Sequence, residues 1–132
     1  MRDRLIAFGA AIGIAVAMLS GAAQAHHGDA GRYNEHVTTV VGVVGQWRFI
    51  NPHSVLVLDV EDESGNVTRW LGELGNPAGL ESRFGWDANT FQPGRRIEMT
   101  GRALKNGSSQ MTLSEGSILV DVETGEEIYR GR

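Results

Sequence analysis

Four histidines, His26, His27, His36 and His53, are the side chains of this sequence best suited to chemistry, and the first three fall within eleven positions. A histidine that begins a chain can bind a metal through its own α-amine and its ring nitrogen together. One further imidazole then completes a planar three-nitrogen set. Copper(II) favours such tetragonal nitrogen sites and tops the divalent affinity order. The chemistry needs His26 to be the first residue, and the segment ahead of it provides for that. Met1-Arg-Asp-Arg4 is a short charged lead, Leu5 to Leu19 is an uncharged apolar run, and Ser20-Gly-Ala-Ala-Gln-Ala25 is small and polar. These are the three regions of a secretory signal peptide with an A-x-A cleavage site. Fifteen apolar residues are too few to cross a bilayer, which takes roughly 20; a retained N-terminal anchor is the rival reading. Cleavage after Ala25 exposes His26. Cleavage after Ala23 would leave Gln24-Ala25-His26, a different copper-binding arrangement that uses backbone amides.

His53 is the natural third nitrogen. It sits in Asn51-Pro52-His53, where Pro restricts the backbone and aims the ring. His27 or Glu73 would assist, and Asp29 is a further oxygen donor. Zinc fits less well, since a closed four-ligand site has no evident fourth donor. The plainer reading is that two histidines at a chain terminus are merely solvated, and that a lone histidine at a turn is a hydrogen-bonded structural residue.

Composition narrows the alternatives. The chain has 132 residues and a formal net charge of −4. Arg2, Asp3 and Arg4 leave with the signal, so the mature 107 residues carry −5 with histidines neutral. That length suits one domain with a modest core. Arg95-Arg96 is the only adjacent basic pair, and a nucleic-acid or polybasic membrane role lacks the basic face it needs. With no cysteine, thiol redox chemistry, iron–sulfur ligation and thiolate zinc are excluded, and stability must come from burial, sheet closure or a ligand. No G-x-S-x-G, Walker or H-E-x-x-H pattern is present. Glu61-Asp62-Glu63 reads as a solvated hairpin tip rather than a catalytic pair. The expectation is a non-enzyme.

The elements that must position these residues are mostly strands. Residues 37 to 50 are β-branched and aromatic throughout and predict one long strand, with Gly42 or Gly45 marking a bulge or bend. Asn51-Pro52 ends it. Val55 to Val60 predicts a second strand buried on both faces at Val55-Leu-Val-Leu58. Glu63-Ser-Gly-Asn66 is a hairpin turn, and Val67 to Leu74 is the third strand. Asn76 to Phe84 predicts a short helix with Asn76 as N-cap, Pro77 at its first position and Gly85 at its end. Leu80 and Phe84, four apart, face the core together, and Asp87 to Phe91 would make one more turn. Arg96 to Leu104, Gln110 to Leu113, Ser117 to Val122 and Glu126 to Tyr129 complete the strands. Regular turn signals, with one helix between strands three and four, predict an all-β fold. It is a small OB-like antiparallel β-barrel of five to six strands. The domain plan is signal peptide 1–25, polar arm 26–36 and barrel 37–132. Trp47 and Trp70 lie either side of the second strand in sequence and share a face, as core or as a ligand platform.

The order of motifs resembles a family of small exported bacterial proteins known only as a domain of unknown function. Its pattern is carried here by Ala25-His26-His27, Tyr33, Trp47-Arg-Phe-Ile-Asn51-Pro52-His53, Trp70-Leu-Gly-Glu73 and Pro93-Gly94. The Trp stands one residue further from Asn-Pro-His than in the shorter form of that pattern. The resemblance implies a periplasmic β-barrel of unassigned activity and singles out His26, His27, His53 and Glu73. The resulting expectation is an exported, non-enzymatic binding module that takes copper(II) or another small ligand. The alternative is a metal-free structural or accessory protein serving a periplasmic or membrane-protein partner.

Overall fold

A computed structural model describes residues 31–132; the expected signal peptide and His26, His27 and Asp29 lie outside the described residues. Thr38–Arg48 forms β1, and its eleven residues bend once. Its register against the second strand, Val55–Glu61 (β2), slips between Val44 and Gln46, which places the bulge at Gly45. A bulge adds one residue and so resets the alternation of faces. Val44 and Trp47, three apart, therefore both turn inward, while Gln46 is exposed. Gly42 serves a different purpose: a Cβ there would stand 2.8 Å from the Asp59 carbonyl oxygen.

β2 is buried from Leu56 to Leu58, as a strand covered on both faces should be. The turn after it places Gly65 at φ 83°, and Val67–Glu73 (β3) returns antiparallel along the whole of β2. The helix α1 spans Pro77–Phe84. The Asn76 side chain accepts the Gly79 N–H at 2.8 Å, and Gly85 ends the helix at φ 69° with its N–H on Glu81 O. Leu80 is buried and Phe84 is half-buried against the core. Asp87 to Phe91 makes a turn rather than more helix, with Asp87 O accepting the Thr90 N–H.

Arg96–Ala103 (β4) alternates strictly, burying Ile97, Met99, Gly101 and Ala103. It pairs antiparallel with β1 from Val43↔Arg96 to Thr38↔Gly101. Gln110–Thr112 (β5) lies antiparallel to β4 and parallel to β3. The ring β1-β2-β3-β5-β4 thus closes on itself as a five-strand barrel. Among the described strands, the parallel β3–β5 pairing is the one exception to an otherwise antiparallel set. Two further strands, Ile118–Asp121 (β6) and Glu127–Arg130 (β7), extend the sheet beyond β4.

Residues 31–36 carry more structure than a polar arm would. Tyr33 is buried and bridges Leu104, the Asn34 N–H donates to Ala103 O, and the Lys105 N–H donates to Arg32 O. The core fills the ring with Val44, Leu56, Leu58, Ile97, Met99, Met111, Leu113 and Leu119. Each fully buried aliphatic side chain contributes about 1.5–3 kcal/mol, which is the main support available to a domain without disulfides. Trp47 and Trp70 are both half-buried and pack against this core. Trp47 contacts Phe49, Trp86 and Phe91, and its Nε1–H donates to Asp87 O at 2.8 Å.

Candidate functional site

β1 ends at Arg48, and the chain turns through Asn51-Pro52-His53 before β2 begins at Val55. Two hydrogen bonds hold this corner: the Ser54 N–H donates to Gly75 O at 3.0 Å, and the Leu74 N–H donates to Ser54 O at 2.8 Å. Val55 pairs directly with Glu73 across the β2–β3 ladder. His53 precedes Val55 by two residues, so it falls diagonally across from Glu73, within reach of long side chains. His53 Nδ1 stands 3.8 Å from Glu73 Oε1, with the His53 side chain 56% exposed and that of Glu73 33% exposed.

The spacing decides what the pair can do. It exceeds a hydrogen bond, which spans about 2.7–3.2 Å, so the two side chains do not lock each other. Two N or O donors bound about 2 Å from one ion lie from about 2.8 Å apart at a right angle to about 4 Å apart when opposed. The observed separation falls in that interval. The pair offers an imidazole nitrogen and a carboxylate oxygen on an accessible corner. Among the described residues, no group of three or more His, Cys, Asp or Glu side chains is gathered as a metal would need.

Of the residues singled out from the sequence, the fold brings His53 and Glu73 together. His36 stands ahead of β1 and His53 beyond its far end, so the length of the strand separates them. His26, His27 and Asp29 are outside the described residues. Surface hollows of about 430, 320 and 180 Å³ are lined by residues other than His53 and Glu73. The largest collects Arg83, Arg130 and Arg132, a group that sequence reading did not assemble. Arg83 precedes Arg130 and Arg132 by 47 and 49 positions, and the docking of β7 beside α1 unites them.

A comparison with curated proteins finds no match, and neither does one with solved structures. Residues 14–114, which take in the Ala25-His26-His27 segment, the Asn-Pro-His corner and all five strands of the closed ring, match the family of unknown function DUF6152, and the chain belongs to that family.

Proposed function

We propose that the protein is an exported, non-enzymatic binding module of the periplasm that takes copper(II). His26 would chelate through its amine and ring, His53 would add a ring nitrogen, and His27 or Glu73 would complete the set. The observation that carries this reading is the His53–Glu73 pair, 3.8 Å apart on an accessible corner. Two donors are too few to hold an ion alone, so such a corner makes sense as the receiving half of a site. Chain length supports it. From Tyr33 three lateral steps of about 4.8 Å, through Leu104 and Gln110, reach Leu71, and Glu73 lies two residues, about 7 Å, further along β3. Seven residue steps lead from His26 to Tyr33, and an extended chain covers up to about 24 Å over them.

The test uses three forms of the mature protein: one beginning at His26, one with a single residue added ahead of it, and His53→Ala. The added residue turns the α-amine into an amide, which loses its basicity and breaks the chelate. Copper affinity, read by competition with a chelator of known strength, should fall by orders of magnitude in the extended form. His53→Ala should weaken binding less, because the two-nitrogen chelate survives. Equal affinities in all three would remove the site and leave the metal-free accessory role as the better reading.

A further inference from the structure

α1 and β7 meet through Phe84 and Tyr129, whose ring centroids are 5.4 Å apart. Beside that contact a hollow of about 430 Å³ opens to solvent. Phe84, Ile128 and the ring of Tyr129 supply the apolar part of a lining that is otherwise charged. The Tyr129 hydroxyl is turned to the protein, donating to Leu113 O at 2.6 Å, so the ring presents only its apolar surface. The rim is cationic. Glu127 is bonded by Arg130, whose Nε–H donates to it at 2.9 Å. Arg83 lies over the Phe84 ring at 5.5 Å, and among the described residues neither Arg83 nor Arg132 has a carboxylate partner. Two guanidinium groups without a carboxylate partner among the described residues therefore line one hollow with Phe84 and Tyr129, in a chain whose net charge is −4.

We infer that this hollow binds a small aromatic carboxylate. The guanidinium fork matches a carboxylate in two parallel hydrogen bonds, and the Phe84 and Tyr129 rings take a flat apolar body. Glu127 on the rim disfavours a compact, multiply charged anion. A second hollow of about 180 Å³ abuts the same Arg83, Phe84 and Tyr129.

The test is a titration of the metal-free, ¹⁵N-labelled mature protein with benzoate, its neutral twin benzamide, and inorganic phosphate, read by amide shifts. Benzoate should produce saturable shifts centred on residues 83–85 and 127–132, and benzamide should not. Arg83→Gln should weaken benzoate about tenfold, as loss of one charged hydrogen bond predicts. Arg69→Gln, on a residue paired to Asp59, should leave benzoate binding unchanged. Spectral dispersion like that of the parent confirms that each variant is folded. Benzamide matching benzoate, phosphate matching benzoate, shifts centred elsewhere, or an unchanged Arg83→Gln affinity would each overturn the assignment. Copper plays no part in the measurement, so its outcome stands apart from that of the copper site.

Discussion

Asp121 shows how one carboxylate can organise a strand end. It is nearly buried and accepts from Arg95 Nε–H at 2.7 Å and from the backbone N–H groups of Glu123 and Thr124. The Arg95 hydrogen bond, followed by those backbone donors, holds its carboxyl below the usual range. A carboxyl whose folded value is depressed contributes stability above its unfolded value and loses it as pH falls through the folded one. Asp121→Asn should therefore lower the melting temperature at neutral pH, and the gap to the parent should narrow as the pH is taken to about 3, below the ordinary carboxylate value. A gap that stays constant across thermal melts in that range would mean the charge contributes nothing. Residue types alone could pick out His53 and Glu73, because both stand beside turns or strand ends that local sequence marks. Asp121 and the Arg83–Arg130–Arg132 group could not be found that way. Arg95 reaches Asp121 from 26 residues away, Arg83 meets Arg130 and Arg132 across two elements, and no spacing rule connects them.

The eight-residue helix is too short to persist by itself, since isolated helices need roughly 12–15 residues; its ends and its packing must hold it. Asn76 supplies the N-cap bond to Gly79, and such a cap contributes about 1 kcal/mol. Asn76→Ala should cost about that much in urea unfolding, Asn76→Asp should restore it, and copper binding should not change with either. A loss well under half of this would show that Leu80 and Phe84 fix the helix by packing alone. This helix was readable to the residue because Asn76, Pro77 and Gly85 mark its limits with local chemistry. β1 was readable as a strand, while the choice between Gly42 and Gly45 for the bulge was not. The register with β2 settles it, and register is a property of two strands. The parallel β3–β5 pairing was equally invisible. Turn signals report neighbours in sequence, whereas these two strands are joined across α1 and β4.

At the scale of the molecule, the question is whether the closed ring can stand without β6 and β7, which lie past the family match at residue 114. The pairing pattern says it cannot. β5 has three residues and pairs with β4 only at Arg102 and Ala103. β6 takes up the same side of β4 from Ile97 to Thr100, so it finishes an edge that β5 is too short to cover. Leu119 is fully buried within the core, Ile128 and Tyr129 pack against it, and Trp86 and Phe84 both contact the Tyr129 ring. A mature chain ending at Ser114 would therefore expose half of β4 as an unpaired edge, a template for association, and would uncover the core beside it. It should lose cooperative urea unfolding as followed by tryptophan fluorescence, and it should self-associate in sedimentation. Because a truncation can fail for several reasons, a point change in the full chain accompanies it. Leu119→Ala should cost about 2–5 kcal/mol, the range for a buried leucine, with the urea slope unchanged. If the truncated chain unfolds cooperatively as a monomer and Leu119→Ala costs little, the five-strand ring is self-sufficient and β6 and β7 are an addition to it. If both fail as argued, the barrel is a seven-strand cooperative unit, and the groove beside β7 is built on strands the fold cannot do without.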